Sequence, residues 1–410
     1  MISLAEARGL DAADPLRGFR DQFHLPDDII YLDGNSLGPL PLAARDAVRA
    51  TVHGEWGNGL IRSWNDADWI GAPARVGAKL ARLIGAAPGE AVVADSTSVD
   101  LFKLIVAALR LRPDRPVVLT EVGNFPTDLY VAEGAVRCVT GARLHTVEPE
   151  AVEAAIDAET AVVVLTHVHY KTARRRDMKR LTALAHATGA LVVWDLSHSV
   201  GAIPLDLKDA DADFAVGCGY KFLNGGPGAP AFMFAAERLH PSLASPISGW
   251  MGHAEPFAFS DAWRPAAGIE RLLAGTPPIL GLAALEAGVD LMLDADMATI
   301  AAKSAQLFDV FKGLMDERLA GRGFTCISPV DAAERGSHIA FSHPNGFAIM
   351  QALIARGVIG DYRRPDILRF GLTPLYLSYA DVWRAVDLLA EIMASEAWRT
   401  EAPEPQGGVT

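Results

Sequence analysis

A lysine and an aspartate stand beside two apolar segments, where they could carry out cofactor chemistry together. Asp195 follows the segment 190–194, and Lys221 follows the segment 213–216 within the run GCGYKFLNGGPG at residues 217–228. In an α/β chain, an acid and a lysine at successive strand ends are typical of a pyridoxal 5′-phosphate (PLP) enzyme. The lysine forms a Schiff base with the cofactor aldehyde, and the carboxylate keeps the pyridine nitrogen protonated so that the ring accepts electrons.

The glycines around Lys221 distinguish this interpretation from that of an ordinary surface lysine. Lysine is rarely buried, so a lone lysine at a strand end is usually a solvated cation. Here Gly217 and Gly219 are expected to leave room for a flat ring, and the later glycines of the run permit turns that are closed to other residues. Together with Asp195, they favour a cofactor lysine.

The length, composition and net charge of the chain limit the classes of protein to which it can belong. The chain has 410 residues, half of them apolar, and 37 glycines, which suits an α/β enzyme of two domains. A net charge of −13 argues against nucleic acid as a partner. The basic cluster at residues 171–180 could bind phosphate or nucleic acid, but a solvated loop and helix start is the favoured interpretation.

Cysteine usage and hydropathy indicate the compartment. Cys138, Cys218 and Cys326 are widely separated, and their spacing suggests neither a metal site nor a disulfide framework. The first 17 residues carry acids and no apolar core, unlike a signal peptide. No apolar run approaches the ~20 residues that span a membrane. We therefore expect a cytoplasmic protein without a bound metal and without a membrane partner.

The alternation of patterns predicts an α/β fold with a mostly parallel central sheet and a smaller α/β C-terminal domain. A strand at 161–168, a helix at 178–188 that stops at Gly189, and a strand at 191–194 give the βαβ rhythm. Ligands of such sheets bind beyond the carboxyl ends of strands, where Asp195 and Lys221 lie. A helix at 296–319 leads into strands at 324–327, 337–341 and 367–371 and helices at 347–356 and 380–393.

The predicted organisation has four parts. An N-terminal arm (1–60), which contains an extended stretch at 29–32, precedes a large cofactor-binding domain (61–294). A small C-terminal domain (295–398) follows, and a tail rich in Pro, Glu and Gly (399–410) is expected to be disordered.

Several stretches, taken in order, resemble the bacterial type of the kynureninase family, whose members are PLP enzymes of the aspartate aminotransferase (type I) fold. The resemblance covers about residues 15–395. Besides the Lys221 run, it is carried by residues 31–38 (YLDGNSLG), 124–128 (NFPTD), 194–201 (WDLSHSVG), 248–253 (SGWMGH), 275–278 (GTPP) and 368–370 (LRF). One such stretch alone is moderate evidence for the resemblance, whereas seven stretches in the order of the family are strong evidence for it.

The resemblance implies a complete PLP site. Lys221 would carry the cofactor, Asp195 would pair with the ring nitrogen, and Phe125 would stack on the ring. It also implies that Asp128 and His198 lie near the ring hydroxyl and that Thr166 makes a further cofactor contact. For the phosphate it implies Thr97, Ser98, Tyr220, Trp250 and Thr276, the last two from the partner subunit of a homodimer. Taken singly, each residue also has an ordinary role, such as core packing for Phe125 or helix capping for Thr97 and Ser98.

The resemblance also implies a substrate site. Arg369 resembles the arginine that grips the α-carboxylate, where a bidentate guanidinium orients better than a lysine, and Asn35 and Ser36 resemble its helpers. Trp64 stands where animal relatives, which prefer the 3-hydroxylated substrate, have histidine. With residues 275–276 it favours L-kynurenine as the small-molecule substrate and 3-hydroxykynurenine as a lesser one.

The implied reaction is the hydrolytic cleavage of the Cβ–Cγ bond of L-kynurenine to anthranilate and L-alanine. This reaction belongs to the kynurenine pathway of tryptophan catabolism and NAD biosynthesis. Lys221 would take the α proton as the catalytic base. Tyr220 would lend a proton to the ketone or to Cβ, a role that comes from the family and not from the position of the phenol alone.

Other PLP-dependent functions stay open. A cysteine desulfurase or selenocysteine lyase needs a catalytic cysteine on a mobile C-terminal loop, and the sole candidate, Cys326, lies in a predicted strand. Such enzymes also usually stack a histidine where this chain has Phe125. The sequence distinguishes less well between a kynureninase and an aminotransferase. A non-catalytic PLP-binding regulator is disfavoured, because no DNA-binding extension is visible and the expected catalytic residues are present.

Overall fold

The computed structural model describes residues 2–400, and helices and strands alternate over residues 72–195. The helices are α1 (Leu4–Ala13), α2 (Leu42–Ala50), α3 (Ser63–Asp66), α4 (Ala72–Ile84), α5 (Thr97–Leu111), α6 (Pro126–Val136), α7 (Val152–Ala155), α8 (Met178–Thr188), α9 (Ile279–Leu293), α10 (Met297–Arg318), α11 (Gly346–Ala355) and α12 (Tyr379–Ser395). The strands are β1 (Phe23–His24), β2 (Ile30–Tyr31), β3 (Leu40–Pro41), β4 (Ala91–Ala94), β5 (Val117–Glu121), β6 (Arg143–Val147), β7 (Thr160–Thr166), β8 (Leu191–Asp195), β9 (Phe214–Gly217), β10 (Ala231–Ala235), β11 (Thr325–Cys326), β12 (His338–Ser342), β13 (Val358–Ile359), β14 (Asp361–Arg363) and β15 (Ile367–Gly371).

A seven-stranded sheet forms the centre of the larger part of the chain. Its strand order is β4–β10–β9–β8–β7–β5–β6; β10 is antiparallel to both of its neighbours, and the other pairs are parallel. Every strand of this sheet except the edge strand β6 is buried along its whole length. Adjacent residues such as Val92 and Val93 belong to different hydrophobic cores. This two-sided burial explains the continuous apolar runs of the sequence.

The carboxyl ends of the central parallel strands meet at one edge of this sheet. The register pairs Thr166 at the end of β7 with Asp195 at the end of β8, and Asp195 with Val216 in β9. The loops that leave these strands therefore begin side by side. The ligand-binding edge predicted for such a sheet is the edge where Asp195 and the Lys221 turn lie.

A second, four-stranded antiparallel sheet lies in the C-terminal part of the chain. Its order is β11–β12–β15–β14, and Arg369 in β15 pairs with Ala340 on one side and with Asp361 on the other. Helices α10 and α12 pack against each other, as do α11 and α12. The strands β13 and β14 were not predicted, because their short and partly charged sequences carry no clear alternation.

The N-terminal residues pack on this C-terminal part. Helix α1 contacts α12, and β2 pairs in parallel with β13. The buried Asp14 carboxylate lies 2.6 Å from Nζ of Lys303 in α10, and the indole of Trp383 donates to the carbonyl of Ile2. The arm predicted at residues 1–60 is thus in contact with the predicted small domain. The domain boundaries themselves stay a prediction.

Helix α8 confirms its predicted limits. It covers Met178–Thr188, and Gly189 follows it in the left-handed conformation with φ +86°, which glycine adopts at little cost. The side chain of Asp177 accepts a hydrogen bond from the backbone of Arg180 at the other end. Most of the predicted tail, from residue 401 onward, lies outside the described residues, and residues 399 and 400 close a 3-10 segment, Ala397–Thr400.

No helix within residues 2–400 has both the length and the apolar character needed to cross a membrane.

Candidate active site

Lys221 lies in the turn beyond β9, and its amine contacts a buried histidine. Nζ of Lys221 is 3.0 Å from Nε2 of His198, which follows the strand β8 that ends at Asp195. His198 is buried. Burial, and then the positive charge of Lys221, hold the pKa of this imidazole well below its ordinary value. His198 is therefore neutral, and with the proton on Nδ1 its Nε2 accepts a hydrogen bond from the Lys221 amine.

Two aromatic rings flank the same amine. Nζ of Lys221 lies 5.8 Å from the ring centroid of Phe125 and 5.7 Å from that of Tyr220. Phe125, which precedes α6, is 38% exposed although it stands in the centre of the site. Its outer edge is supported by Tyr170, with ring centroids 5.2 Å apart. An open aromatic face at this distance from the amine suits a planar ring held against it.

Asn124 fixes the loop that carries Phe125. Its Oδ1 accepts a hydrogen bond from the backbone N–H of Phe125 at 2.7 Å and another from the hydroxyl of Thr166. Its Nδ2 donates to the hydroxyl of Thr120. Thr166 thus lies at the site and supports the Phe125 loop through Asn124. The direct cofactor contact predicted for Thr166 stays a prediction, and the role of Asn124 was not predicted from the sequence.

Asp128 and Asp195 form a pair of buried carboxyl groups, 3% and 4% exposed. Burial raises the pKa of both, and the charge of Asp195 raises the pKa of Asp128 further. Oδ1 of Asp195 accepts from the backbone of Ser197 at 2.8 Å, and Oδ2 of Asp128 has no hydrogen-bond partner within residues 2–400. Lys221 is the cation that acts on both acids. A second buried positive charge, such as a protonated pyridine nitrogen, would balance the second carboxylate. These residues therefore fit PLP.

The start of α5 offers hydrogen-bond donors for a phosphate. Ser96 is the N-cap residue, and its side chain makes no capping hydrogen bond. The first helical bond runs from the N–H of Asp100 to the carbonyl of Ser96. The backbone N–H groups of Thr97 and Ser98 therefore have no acceptor inside the helix. Both residues are half-buried, and unpaired N–H groups at the start of a 15-residue helix favour an anion.

Trp250 and Thr276 lie apart from the Lys221 contacts within one chain. The ring of Trp250 meets the rings of Trp64 and Phe257 at 6.0 and 5.8 Å. Thr276 is exposed and lines a small cavity together with Asp95, next to the start of α5. The structure therefore joins the predicted aryl-site residue Trp64 to the predicted phosphate residue Trp250. Whether Trp250 and Thr276 serve a partner's site stays a prediction.

Gly217 and Gly219 serve close packing, which corrects the expectation that they make room for a flat ring, whereas Gly226 and Gly228 have φ values of +83° and +72°, as expected for turns. A Cβ on Gly217 would lie 2.5 Å from the ring of Phe232 in β10, and one on Gly219 would lie 2.5 Å from the carbonyl oxygen of Pro230. The N-terminal segment also approaches this turn, because a Cβ on Gly38 would meet the carbonyl oxygen of Lys221 at 2.4 Å. Because glycine has no side chain, the neighbouring backbone and rings pack directly against the turn that carries Lys221 and fix its position.

Arg369 is buried, and its guanidinium is already engaged. Nε donates to Oδ1 of Asp361 at 2.7 Å, Nη2 donates to Oδ2 of Asp361, and Nη1 donates to the carbonyl of Tyr170. Nη2 also donates to the hydroxyl of Ser36 at 2.9 Å, which in turn donates to Asp361 at 2.6 Å. The structure thus brings Ser36 and Arg369 together, as expected. The bidentate face of Arg369, however, holds Asp361.

Asn35 is fully buried, and neither atom of its side-chain amide has a hydrogen-bond partner within residues 2–400. A Cβ on Gly371 would lie 2.3 Å from Oδ1 of Asn35, so the amide packs tightly against β15. Asn35 thus lies against Gly371, two residues from Arg369 in β15, with unused donors and acceptors, which suits the predicted role as a helper. Asp33, two residues earlier, is also buried, and burial followed by the charge of Asp361 raises its pKa to about 8.

Two charged neighbours of Arg369, one acidic and one basic, were not predicted from the sequence. Asp361 and Arg363 lie two residues apart in β14, on one face of the strand, and Nη2 of Arg363 is 2.7 Å from Oδ2 of Asp361. The available signal was the alternation of charges just before the LRF stretch that carries Arg369.

Comparison with known proteins identifies similar chains along the whole length. The model of the kynureninase C-terminal domain matches residues 300–389, and that of the DegT/DnrJ/EryC1/StrS aminotransferase family matches residues 74–208. A kynureninase of Pseudomonas fluorescens is 50% identical over 404 residues, which cover 97% of each chain. A kynureninase of Burkholderia pseudomallei (strain 1106a) is 49% identical over 410 residues, which cover 98% of each.

Solved structures share the fold at lower identity. The cysteine desulfurase CsdA of Escherichia coli aligns with a TM-score of 0.78 and 22% identity over 93% of this chain and 98% of that chain. A cysteine desulfurase of Thermococcus onnurineus NA1 gives 0.77 and 18% over 92% and 98%. A C-DES mutant with glycine covalently linked to its PLP cofactor gives 0.78 and 17% over 91% and 99%. The predicted α/β fold of the type I PLP-dependent enzymes is confirmed.

Proposed function

Because this chain belongs to the kynureninase family, we propose that it hydrolyses the Cβ–Cγ bond of L-kynurenine to anthranilate and L-alanine, with 3-hydroxykynurenine as a lesser substrate. It is a PLP-dependent hydrolase that acts on a carbon–carbon bond. The observation that carries the proposal is the convergence of Lys221, Asp195 and Phe125 at one sheet edge, in a chain that is 50% identical to a kynureninase over nearly its full length.

Each side chain of the site has a separate role in the reaction. PLP, when bound, supplies an aldehyde for the substrate amine and a ring that accepts electrons. Lys221 removes the proton from Cα of the substrate, and His198 orients the lysine by accepting its hydrogen bond. When PLP is bound, Asp195 would hold a proton on the ring nitrogen. Phe125 would lie against one face of the ring.

Tyr220 is the proposed proton donor to the ketone oxygen or to Cβ of the substrate. Its ring lies 5.7 Å from Nζ of Lys221. Burial first, and then the neighbouring Cys218, raise the pKa of the phenol. The phenol is therefore protonated at neutral pH, which a general acid requires.

We propose further that the enzyme is a homodimer, in which Trp250 and Thr276 complete the phosphate site of the partner subunit. For Trp250 the support is that its ring makes no contact with the rings of Phe125 or Tyr220 within residues 2–400 of one chain. For Thr276, which lines a small cavity with Asp95 next to the start of α5 of its own chain, the support is membership of the family alone. On the chain's own side the phosphate would be held by the start of α5 and Tyr220. Asp128 and His198 would contact the ring hydroxyl region.

Subunit complementation tests the shared site. Lys221→Ala and Thr276→Val variants are each inactive or weak alone, and they are unfolded and refolded together. A mixed dimer pairs the intact Lys221 of one chain with the intact Thr276 of the other, so activity returns. If both residues served the same subunit, mixing would restore none.

The central experiment is direct. The purified protein is scanned for the visible absorbance of bound PLP, then mixed with L-kynurenine while anthranilate fluorescence and L-alanine are measured. We expect a yellow protein that forms the two products in equal amounts. The Lys221→Ala variant should lose both the native absorbance and turnover. A yellow wild-type protein that forms no anthranilate would refute the proposal.

The same assay distinguishes the two other reactions of this fold. A cysteine desulfurase would release sulfide from cysteine, and an aminotransferase would accumulate pyridoxamine phosphate. The geometry disfavours the first. Cys326 lies in β11, its thiol is 3.6 Å from the carbonyl of Ser328, and burial raises its pKa, which suppresses the reactive thiolate.

Kynurenine is a breakdown product of tryptophan, so we propose that the enzyme acts in tryptophan catabolism and the kynurenine route to NAD. We also propose a cytoplasmic location. The support is that Cys138, Cys218 and Cys326 are all free thiols, which suits a reducing compartment.

A further inference from the structure

The guanidinium of Arg369 does not have a free bidentate face for a second carboxylate. Three of its hydrogen bonds go to Asp361 and to the carbonyl of Tyr170, a fourth goes to Ser36, and the residue is 2% exposed. A planar guanidinium has five N–H donors in fixed directions. One N–H of Nη1 is what remains for a substrate.

Arg363 lies beside this cluster and is more accessible. Its side chain is 25% exposed, whereas that of Asp361 is fully buried. Nη2 of Arg363 is 2.7 Å from Oδ2 of Asp361 and 3.4 Å from the hydroxyl of Ser36. Its Nη1 donates to the carbonyl of Tyr362. Nε of Arg363 has no acceptor within the part of the chain that the structure describes.

The cluster adjoins the cofactor side of the site. Tyr170, whose carbonyl accepts from Arg369, packs its ring against that of Phe125. The charges of Arg369 and Arg363 both act on His198, the partner of Lys221. A substrate whose amine reaches Lys221 therefore has its α-carboxylate, two bonds away, on the side where Arg363 and Arg369 converge.

The cluster has one more positive charge than negative charge, so it can bind one anion. Two guanidinium groups, those of Arg363 and Arg369, share the single carboxylate of Asp361, which these arginines keep ionised. Asp33, the other nearby acid, is buried, and burial followed by the charge of Asp361 raises its pKa to about 8, so it is uncharged at neutral pH. One positive charge is thus left uncompensated at the accessible edge, and a substrate carboxylate would neutralise it.

We propose that Arg363 is a specificity-determining residue that binds the α-carboxylate of the substrate together with Arg369. Asp361 holds the two guanidinium groups side by side and is not itself a substrate contact. Arg363 supplies its exposed edge, and Arg369 supplies its remaining N–H. This inference rests on the proposed function, because it names a residue for recognition of that amino-acid substrate.

The first test compares Arg363→Gln and Arg363→Lys with Arg356→Gln. Arg356 is a matched control, because it is an exposed arginine of the same part of the chain, paired with Glu391 at 2.8 Å. We expect Arg363→Gln to raise the KM for L-kynurenine about 10- to 100-fold, the usual value of a charge-assisted hydrogen bond, with a much smaller change in kcat. Arg363→Lys should recover part of the loss, since it keeps the charge but not the planar fork.

A carboxylate-free analogue separates recognition from structure. Kynuramine, which is kynurenine without its α-carboxylate, is measured as a competitive inhibitor of each variant. If Arg363 binds the carboxylate, its replacement leaves the inhibition constant of kynuramine unchanged while the KM for L-kynurenine rises. An unchanged KM in Arg363→Gln, or an equal loss of affinity for both molecules, would overturn the proposal.

The proposal can also fail separately from the proposed reaction. Binding of L-alanine, compared with ethylamine, is followed by the visible absorbance of the holoenzyme. This readout does not require kynurenine hydrolysis. If the wild-type protein forms no anthranilate but the Arg363→Gln variant selectively loses L-alanine binding, the reaction is wrong and the role of Arg363 stands. If the wild-type protein forms anthranilate and the variant keeps normal L-alanine binding, the role of Arg363 is wrong.

Discussion

Nζ of Lys221 lies 3.0 Å from Nε2 of His198, and the histidine is buried so deeply that burial keeps its pKa well below the ordinary value. With the neutral imidazole carrying its proton on Nδ1, the contact runs from the Lys221 amine as donor to Nε2 as acceptor. Nδ1 of His198 has no partner within residues 2–400. The imidazole acts as a fixed acceptor that sets where the lysine amine points.

Replacing His198 tests this orientation. In His198→Phe the acceptor is lost, so we expect kcat/KM to fall about 10- to 100-fold, the usual cost of removing a hydrogen bond to a charged group. His198→Gln keeps an acceptor of similar reach and should lose less. Steady-state kinetics with L-kynurenine measures both. Equal losses in the two variants would mean that the histidine acts by packing and not through its hydrogen bond.

Asp195→Asn keeps the shape of the strand end but removes the charge. We expect PLP to remain bound, since the phosphate and lysine contacts are intact, while kcat falls about 10²-fold or more because the ring nitrogen loses its anionic partner. Absorbance measures the bound cofactor, and anthranilate release measures kcat. A variant with unchanged kcat would show that Asp195 does not control the ring nitrogen.

Trp64 is predicted to set the preference at the aryl group. Its ring is supported by the rings of Trp69 and Trp250, each with centroids 6.0 Å away. A histidine at this position offers a polar nitrogen to a hydroxyl, so Trp64→His should raise kcat/KM for 3-hydroxykynurenine relative to L-kynurenine. The ratio of the two kcat/KM values is the measurement. An unchanged ratio would exclude Trp64 as a specificity residue, and Trp56→His, which alters an exposed tryptophan, controls for nonspecific effects.

The residues that could be found from sequence are those whose role depends on their own strand or turn. Lys221 and Asp195 follow apolar strands, and Gly189 ends a helix, so local patterns predict their positions. The positions of Gly217 and Gly219 are predicted correctly, but their role is not. Their lack of a side chain accommodates Phe232 in β10 and Pro230 just before it, which come from elsewhere in the sequence.

Ser36 and Arg369 were predicted, but the contacts that join them to Asp361, which was not predicted, depend on how separate segments meet. Ser36 reaches Asp361 and Arg369 only because the N-terminal segment lies on the C-terminal sheet. Asp361 meets Arg369 only through the antiparallel register of β14 and β15. Periodicity within one segment carries no information about such pairings. The prediction of Arg369 as a carboxylate residue therefore could not include the acid that occupies its guanidinium.

Asp33 should make substrate binding depend on pH. Burial and the charge of Asp361 raise its pKa to about 8, so it is neutral at pH 7 and becomes negative above about pH 8. The new charge lies near Asp361 and Arg369, with Ser36 between them, and would offset the positive charge that a carboxylate needs. Tyr31 and Tyr376, which also face Asp33, have raised pKa values and stay neutral there.

The measurement for Asp33 is the KM for L-kynurenine as a function of pH. We expect KM to rise above about pH 8 in the wild-type protein and to lack this rise in Asp33→Asn, since an amide does not ionise. Because other groups titrate in the same range, the difference between the two proteins is what counts. An identical rise in both would assign the pH dependence to another group.

His186 should make stability depend on pH through its contact with a buried acid. Nε2 of His186 is 2.9 Å from Oδ2 of Asp213, which is 1% exposed, and Nδ1 is 3.3 Å from Asp211. The hydrogen bond from His186 to Asp213 raises the pKa of the imidazole above its ordinary value. A raised folded-state pKa stabilises the fold below the unfolded-state pKa of about 6.5, and this contribution is lost as the pH rises through the folded-state pKa.

His186→Gln should therefore lower the free energy of unfolding more at about pH 5.5 than at about pH 8.5, by up to about 1 kcal/mol for a partly exposed ion pair. Thermal unfolding of the holoenzyme at both pH values measures the effect. His145→Gln is the control, because His145 is an exposed imidazole in the edge strand β6. A loss for His186→Gln that is equal at both pH values, or larger at the higher one, would mean that the charged His186–Asp213 pair does not stabilise the fold.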